Sequence, residues 1–363
     1  MREHPTVGVE EEFLLVGDDH QPMAANRAVA DAAKAQGVDL QLELTSCQVE
    51  TATGVTSTSG ELRDALLRLR RVAADAAEAS GARLLAAGLP PSVPHAFPVT
   101  DTPRYRRIAD RFGMLAHEQG ICGCHVHVAV PDRPAAVQVS NRLRPWLPLL
   151  LALTANSAVY RNAETGHASW RHILWARWPV AGPPPFFESV EHYDNTVAML
   201  IGCGAALDDG MVYWDARPST SYPTIEVRVA DVASTVAETV LLATLIRAAV
   251  MTALDEMQRG EPALRVPAEA LRAAYWKAAH DGLDGDGVDL AGGRRSVPTR
   301  RLLIDFVDRI SPALRTLGEY EHVLAELNRL GEEGNGAMRQ RRAWRTRHDV
   351  GDVISAAQRV MLA

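Results

Sequence analysis

The sequence predicts a protein of mixed α and β structure, in which apolar helices separate strands that carry acidic and histidine side chains. Residues 6–16, 122–130 and 223–231 alternate apolar and polar side chains, which is the pattern of half-buried β-strands. Residues 58–81 open with a capping box and continue as an amphipathic helix, and residues 234–258 form a strongly apolar helical stretch. Both kinds of element are clearly patterned, which is why we assign the chain to a mixed class.

The length and composition are those of a globular protein with one large or two ordinary domains. The chain has 363 residues, of which 47% are hydrophobic and 23% are charged. No internal repeat and no shift of composition divides it, so we expect residues 1–363 to form a single domain. The helical C-terminal part, about residues 300–363, is expected to pack on the rest of that domain.

Charge and cysteine content exclude several classes of partner. The 38 basic and 45 acidic residues give a net charge of −7, so nucleic acid is not expected as a partner. Four cysteines without a CxxC pair indicate reduced thiols and a cytoplasmic location. The most apolar run, residues 146–155, is too short to span a bilayer, which needs about 20 residues. We therefore expect no membrane partner.

The first strand, residues 6–16, brings acidic side chains together on an apolar element. Period two places Glu10 and Glu12 on one face and Glu11 on the other. Two neighbouring carboxylates resist burial, and a divalent cation with several oxygen ligands removes that difficulty. The alternative is a sheet edge with solvated glutamates.

Two later strands carry further groups of this kind. In residues 122–130, His125 and His127 share one face and can both point into a site; a pair of packed core histidines is the alternative. In residues 223–231, Glu226 and Arg228 share one face. They form either a metal ligand beside a phosphate contact or a surface ion pair of small value.

The segment 161–187 has an unusual composition for a connection inside a compact domain. Long polar and aromatic loops are often functional, although an irregular packed loop is the alternative. We predict a loop that closes over a substrate. Its candidate substrate-binding residues are Arg171 and Arg177, which suit a carboxylate, with Trp170, Trp175 and Trp178 as apolar walls.

The remaining elements complete the prediction. The arginines of the helix at 58–81 are expected to form a solvated face, and the Gly- and Asp-rich stretch 281–295 a mobile loop. Helices are predicted at residues 26–36, 104–117, 134–160 (broken or kinked at Pro145 and Pro148) and 189–201, extended structure at 39–53 and 83–87, and a glycine break at 331–336 before an arginine-rich helix.

Several motifs in order resemble one known family over roughly residues 5–345. They are Gly8-Val-Glu-Glu-Glu-Phe13, Gly123-Cys-His-Val-His127, Tyr222-Pro-Thr-Ile-Glu-Val-Arg-Val-Ala-Asp231 and Asn335-Gly-Ala-Met-Arg-Gln-Arg341. The family is that of the carboxylate–amine ligases of the second glutamate–cysteine ligase type, relatives of bacterial γ-glutamylcysteine synthetase. The resemblance implies an α+β fold. A curved, largely antiparallel sheet would carry helices on its outer face, as in the catalytic domain of glutamine synthetase, with the active site on its concave face.

The resemblance also implies a set of functional residues. Arg228 corresponds to a phosphate-contacting arginine, and with Glu226 it is our catalytic candidate. Arg339 and Arg341 are assigned to ATP with Arg228, unless their helix is a solvated face, and His127 is assigned to substrate binding. The implied cation ligands are Glu10, Glu12, Glu43, Glu50, His125 and Glu226.

The spacing of Glu43 and Glu50 restricts the backbone structure that can lie between them. They are seven residues apart, so they face opposite ways in one regular strand. Both can bind one ion only if a bulge or turn intervenes, which we place at Thr45-Ser46-Cys47.

The expected activity is an ATP-dependent ligation of a carboxylate, such as glutamate, to cysteine or another amine, through an acyl phosphate and with Mg²⁺ or Mn²⁺. Amino acids and amines are the expected partners, and a homodimer is left open. A second hypothesis is a metal-dependent amidohydrolase that uses the His125/His127 pair with Asp231 as base. A third is a protein that binds an amino acid or nucleotide without turning it over.

Overall fold

The computed structural model describes residues 4–363. Its centre is a seven-stranded sheet in the order β10-β11-β5-β1-β3-β2, with β4 paired to β1, and every pairing in this sheet is antiparallel. The strands of this sheet are β1 (Val7–Val16), β2 (Gln41–Leu42), β3 (Gln48–Ala52), β4 (Arg83–Leu85), β5 (Gly123–Ala129), β10 (Ala216–Pro218) and β11 (Thr224–Asp231).

Three small two-stranded sheets lie outside it. They are β6 (Val159–Tyr160) with β7 (Ala163–Glu164), β8 (Ala181–Gly182) with β9 (Tyr213–Trp214), and β12 (Asp286–Val288) with β13 (Ser296–Pro298).

Helices cover one face of the central sheet, and α2, α5, α6 and α9 pack directly on its strands. The fold class expected from the resemblance, α+β with a largely antiparallel sheet, is confirmed. The helices are α1 (Asn26–Ala35), α2 (Ser59–Ala79), α3 (Pro103–Phe112), α4 (Met114–His117), α5 (Arg133–Leu143), α6 (Leu147–Thr154), α7 (Trp170–Trp175), α8 (Val190–Gly202), α9 (Val236–Gln258), α10 (Ala268–Asp281), α11 (Thr299–Leu317), α12 (Tyr320–Glu333), α13 (Gly336–Arg347) and α14 (Val350–Val360), with a single turn of 3₁₀ helix at Asp209–Met211.

The core lies between β1, β5 and β11 on one side and the covering helices on the other. Helix α9 is long and apolar enough to cross a membrane, but 83% of its most apolar window is buried inside the protein. It is the central helix of the core, as its composition predicted. Burial of so many aliphatic side chains supplies the main driving force for folding.

The first strand separates its glutamates as the alternation predicted. Glu11 points into the core, where it is fully buried and receives hydrogen bonds from Arg70 Nε at 2.9 Å and Nη2 at 2.6 Å. Arg70 also donates to the carbonyls of Ala233 and Met361. The prediction that the arginines of α2 form a solvated face is therefore wrong for Arg70, which ties α2 and α14 to the back of β1.

Other boundaries differ from the prediction for identifiable reasons. The helix expected at 134–160 is divided into α5 and α6 beside Pro145, as predicted, but α6 ends at Thr154 and residues 159–160 form β6. The helix expected at 104–117 breaks at Gly113, whose φ of 54° suits glycine. The expected loop at 281–295 contains β12, which pairs with β13.

Candidate active site

Three neighbouring strands bring acidic and histidine side chains together on the open face of the sheet. In the antiparallel register Glu10 lies opposite His125, and His127 lies opposite Glu226. The Glu10 carboxylate spans both histidines, 3.2 Å from Nδ1 of His125 and 3.5 Å from Nε2 of His127. Glu12, two residues along β1, lies 3.8 Å from Nε2 of His125. Residues that are distant in the sequence thus form one polar surface.

A hairpin turn brings Glu43 and Glu50 to the same place. Strands β2 and β3 pair antiparallel, and the chain reverses through the turn at residues 45–47, which is where we predicted it. Glu50 lies opposite Glu12 in the register of β1 and β3. The condition for both glutamates to serve one site is therefore met.

The assembled side chains form three groups, each able to hold a cation. In each group, one ligand atom per residue lies within 4.8 Å of the others. The Nε2 atom of His127 is buried without a hydrogen-bond partner among the described residues, and its Nδ1 lies 3.0 Å from the Thr224 hydroxyl. A histidine held at one nitrogen with the other free is typical of metal ligation. The groups are Glu10, His127 and Glu226; Glu10, Glu50 and His125; and Glu12, Glu43 and Glu50.

The carboxylates of the β2–β3 hairpin are held close to one another at an energetic cost. Burial, and then the charge of Glu12, raises the pKa of Glu43 to about 7. Burial and the neighbouring Glu43 raise the pKa of Glu50 well above its ordinary value. Buried like charges of this kind favour either a proton or a cation.

Glu226 has the opposite environment, because two arginines hold it. Burial alone would raise its pKa, but the charges of Arg228 and Arg217 outweigh burial and lower it. Arg217 Nε donates to the carboxylate at 3.0 Å, and Arg228 Nη1 donates to the other oxygen. Sequence reasoning missed Arg217. Its signal was the β10–β11 hairpin, in which Arg217 lies directly opposite Glu226.

Arg171 reaches the acidic surface from α7. It is 3% exposed, and its Nη1 lies 3.6 Å from Asp231. A Cβ atom at Gly123 would collide with this guanidinium, so the glycine permits the close approach of Arg171 to β5. The Nε of Arg171 is buried without a partner among the described residues. Arg171 also lines the cavity between these groups.

These residues surround a cavity of about 450 Å³ that is lined by both acidic and aromatic side chains. Trp175 and Tyr213 pack with ring centroids 4.8 Å apart, and Trp178 meets Tyr213 edge to face. Tyr105, Tyr213 and Arg104 were not predicted, because they come from distant segments without a distinctive local pattern. The lining residues that matter here are Glu10, Glu12, Glu43, Glu50, His125, Arg171, Arg228, Tyr105, Trp175, Trp178 and Tyr213.

Six predicted site residues do not line this cavity: His127 and Glu226 lie beside it in a cation-ligand group with Glu10, and the other four lie elsewhere. Arg177 pairs with Glu118 at the surface. Trp170 packs against His167. In the C-terminal helices, Arg339 and Arg341 pair with Glu238 and Glu164 respectively.

The segment 161–187, which we predicted to close over a substrate, contains β7, α7 and β8, and its residues Trp178 and Val180 are nearly fully buried. Its closure over a substrate stays a prediction.

The raised pKa values of the hairpin carboxylates give a test of cation binding. A cation must displace protons from Glu43 and Glu50, so we expect Mn²⁺ binding to release protons and its apparent affinity to rise between about pH 6 and about pH 8. Calorimetry in buffers of different ionisation enthalpy measures both quantities. An affinity independent of pH, with no proton released, would contradict the assignment of this group.

The family comparison agrees with these motifs. The model of "Glutamate-cysteine ligase family 2(GCS2)" matches residues 6–359. A protein of Mycolicibacterium smegmatis named "Putative glutamate--cysteine ligase 2-3" is 66% identical over 98% of this chain and 97% of its own length. The correspondingly named 2-2 protein of Mycobacterium sp. (strain KMS) is 62% identical over the full length of both.

Solved structures share the fold at low sequence identity. The glutamate–cysteine ligase of Francisella tularensis, solved in complex with AMP, superposes with a TM-score of 0.71 at 14% identity, over 99% of this chain and 88% of that one. A bifunctional glutathione synthetase from Pasteurella multocida gives 0.68 at 14% identity, over 99% of this chain and 52% of that one. With its motifs, its sheet and its full-length relatives in agreement, the chain belongs to glutamate-cysteine ligase family 2.

Proposed function

We propose that this protein is an ATP-dependent ligase that joins a carboxylate to an amine through an acyl phosphate. The observation that carries the proposal is that Glu10, Glu12, Glu43 and Glu50 line one cavity together with Arg228. Carboxylate-rich sites hold hard cations, and such cations with an arginine neutralise phosphate charge. Family membership and the nucleotide named for the Francisella structure support the same reading.

The residues present fit Mg²⁺ or Mn²⁺. The donors are carboxylate oxygens and imidazole nitrogens, and a bound cation would offset the burial and the neighbouring carboxylate charges that raise the pKa values of Glu43 and Glu50. His127, first predicted as a substrate contact, is better assigned as a ligand because its free Nε2 faces Glu10. When bound, the ions would offset the negative charge of the phosphates. The proposed ligands are Glu10, Glu12, Glu43, Glu50, His125, His127 and Glu226.

The chain's own groups have distinct tasks in the proposed reaction. Arg228, held in position by Glu226, faces the charge that develops on the transferred phosphoryl group. Arg171 binds the carboxylate of an amino-acid substrate, because a guanidinium pairs with carboxylate oxygens bidentately. The aromatic lining residues Trp175, Trp178 and Tyr213 limit access of water to an intermediate that water would hydrolyse.

The proposed ligation has two steps. A carboxylate oxygen of the first substrate attacks the γ-phosphorus of ATP, and the bond to ADP breaks. The amine then attacks the carbonyl carbon, loses a proton, and expels phosphate that retains one former carboxylate oxygen. The relatives' names point to glutamate and cysteine as the first pair to assay.

Neither alternative function gains support from the site. An amidohydrolase would need Asp231 as base, but Asp231 is fully buried and accepts hydrogen bonds from Ser157, Ser169 and the N–H of Asn156. A binder without turnover does not account for three adjacent groups of potential cation ligands.

The proposal is tested by supplying ATP, Mg²⁺ and a mixed pool of amino acids and amines, with mass-spectrometric analysis of the products. We expect a product lighter than its two parts by one water, formed together with ADP and phosphate. Absence of ADP and phosphate with every carboxylate–amine pair would overturn the ligase proposal.

Two arginines from the segment 161–187 give a matched pair of variants. We expect Arg171→Ala to raise KM for the amino-acid substrate more than KM for ATP and to increase ATP hydrolysis uncoupled from ligation. The reason is that the alanine removes the carboxylate contact beside the cavity and leaves room for water.

Arg177→Ala is the control, because Arg177 pairs with Glu118 away from the cavity. Steady-state kinetics with separate assays of phosphate and ligated product measure both effects. Equal changes in both KM values for Arg171→Ala, or the same uncoupling in Arg177→Ala, would make Arg171 a structural residue.

A further inference from the structure

The motif Asn335-Gly-Ala-Met-Arg-Gln-Arg341 at the start of helix α13 has no role in the account so far. The structure describes all of its residues, and none of them lines the cavity of about 450 Å³. Two of its polar side chains are nevertheless nearly fully buried, since Asn335 is 2% exposed and Gln340 is 3% exposed. Buried polar groups form hydrogen bonds inside the protein, so their partners indicate what the motif does.

Gln340 holds the connection 155–159, which leads from α6 into β6. Its side-chain oxygen accepts hydrogen bonds from the N–H groups of Ala158, at 2.9 Å, and Val159, at 3.1 Å. Its amide group donates to the main-chain oxygen of Asn156 at 2.7 Å and to the side-chain oxygen at 2.9 Å. One side chain thus satisfies four polar groups of this connection.

The beginning of α13 packs against the same connection. The N–H of Ala337 donates to the carbonyl of Ala155 at 2.8 Å. A Cβ atom at Gly336 would collide with the side chain of Asn156, so the glycine permits this close contact. The position of the connection is therefore determined by the backbone of α13 as well as by Gln340.

The connection in turn holds the carboxylate of Asp231, at the end of β11. The N–H of Asn156 donates to Oδ2 of Asp231 at 2.8 Å, and the hydroxyl of Ser157 donates to the same oxygen at 2.7 Å. The hydroxyl of Ser169, at the N-terminus of α7, donates to Oδ1 at 2.9 Å. Both oxygens of this fully buried carboxylate are thus fixed by donors.

Arg171 contacts the same two groups. Its main-chain N–H donates to the hydroxyl of Ser157 at 3.0 Å, and its guanidinium Nη1 lies 3.6 Å from Oδ1 of Asp231. Ser157 therefore holds the backbone of Arg171, while Asp231 attracts its side chain. Because Arg171 lines the cavity, a continuous series of buried contacts runs from Gln340 to the site.

We propose that Gln340 is a positioning residue, which acts through the connection 155–159 and Asp231 to orient Arg171 toward the carboxylate of an amino-acid substrate. The inference rests on the proposed function, in which Arg171 binds that carboxylate. Hydrogen bonds in a buried network rigidify the groups that they join. A substrate-binding group that is misplaced by about 1 Å can cost about a hundredfold in rate, so rigid support of Arg171 has a large effect.

Gln340→Met tests the network at the end that is far from the cavity. The methionine side chain is unbranched and of similar length, but it offers neither the acceptor for Ala158 and Val159 nor the donor to Asn156. We expect KM for the amino-acid substrate to rise at least about fivefold, and KM for ATP to stay within about twofold. Steady-state kinetics with the substrate pair found in the mixed pool measure both values.

A double-variant cycle distinguishes positioning from a general loss of structure. In the Arg171→Ala background, we expect Gln340→Met to change KM for the amino-acid substrate by less than about twofold, because the group that it positions is already absent. The same fold-change in both backgrounds would mean that Gln340 acts independently of Arg171, and it would overturn the proposal.

Ser157→Ala keeps the test decisive if Gln340→Met does not fold, as judged by circular dichroism. The substitution is small and removes only the hydroxyl that joins Arg171 to Asp231. It should give the same selective rise in KM for the amino-acid substrate, and again no further rise in the Arg171→Ala background. An unchanged KM for that substrate would overturn the proposal.

Asn141→Leu is the control for lost stability. Asn141 is fully buried in α5, and its side chain forms two hydrogen bonds with the main chain of Phe187, outside both the network and the cavity lining. We expect this variant to lower the thermal midpoint, as Gln340→Met does, and to leave both KM values within about twofold.

Two results would overturn the positioning role while the ligase proposal stands. They are an equal rise of both KM values in Gln340→Met, and the same selective rise in Asn141→Leu. A wild type that ligates no substrate pair would overturn the proposed function and the positioning role together.

Discussion

Replacing Glu43 by glutamine is expected to lower turnover by more than about a hundredfold while leaving the metal-free protein as stable as before or more so. Replacing a residue that only hydrogen-bonds to a metal ligand typically lowers activity by about 10–100-fold. We therefore expect a larger loss when a ligand itself is replaced. Stability is not expected to fall with activity, because the glutamine amide replaces a carboxylate that is unfavourable in the folded protein. Burial and then the charge of Glu12 raise the pKa of the Glu43 carboxyl to about 7.

The pH dependence of stability follows from the same shift. In the metal-free protein a carboxyl with a raised pKa adds stability below its unfolded pKa of 4.5, and that stability is lost as the pH rises through about 7. We therefore expect the thermal midpoint of Glu43→Gln to exceed that of the wild type increasingly across this window when a chelator is present. Comparing the variant with the wild type cancels the contributions of the titratable groups that both proteins share.

The control is Glu78→Gln, which changes an exposed carboxylate on α2. It should leave turnover and the thermal midpoint unchanged. A Glu43→Gln variant with normal kcat, or one that is less stable than the wild type at every pH, would contradict the assignment of Glu43 to a cation site.

Glu226→Gln should impair both activity and stability. The substitution removes a proposed cation ligand, so we expect a loss of more than about a hundredfold in kcat. It also leaves Arg217 and Arg228 buried without their anion, which typically costs about 3–5 kcal/mol in the free energy of unfolding. Circular dichroism and chemical denaturation, with kinetics on the folded fraction, measure the two effects separately.

A double variant distinguishes the two roles of Glu226. Adding Arg217→Gln to Glu226→Gln removes one of the orphaned charges, so we expect part of the lost stability to return while turnover stays low. Glu261→Gln, in an exposed pair with Arg259, is the control and should change neither quantity. Recovery of turnover in the double variant, or normal turnover in the single one, would reduce Glu226 to an ion-pair partner.

Much of the site was predictable because strand periodicity fixes which side chains share a face. Glu10 and Glu12 on β1, His125 and His127 on β5, and Glu226 on β11 all follow from alternation by two. The turn between Glu43 and Glu50 followed from one geometric condition on their spacing. What these predictions needed was local pattern, and each strand supplied it.

The rest depended on pairing between segments that are distant in the sequence. Arg217 reaches Glu226 only because β10 pairs with β11, and Arg70 reaches Glu11 across 59 positions. Arg171 and Arg177 have the same local composition, yet α7 buries the first beside Gly123 and leaves the second at the surface. Tertiary packing decides such cases, and single-sequence patterns do not contain it.

The C-terminal arginines illustrate the same limit. A basic helix after a glycine break could reach a site or pair with nearby acids, and the sequence alone does not decide between them. In the structure Arg339 and Arg341 pair with acids from two other segments, Glu238 and Glu164. Their assignment to ATP stays a prediction, and the geometry of the cavity gives it no support.

The central claim is that a carboxylate is activated as an acyl phosphate at the acidic surface. The most direct measurement follows an oxygen isotope label from the carboxylate of the first substrate, with ATP, Mg²⁺ and the amine found in the mixed pool. The account predicts one labelled oxygen in the released phosphate for each amide bond formed, with ADP as the other product. Amide formation with no label in phosphate, or with AMP and pyrophosphate as products, would contradict it.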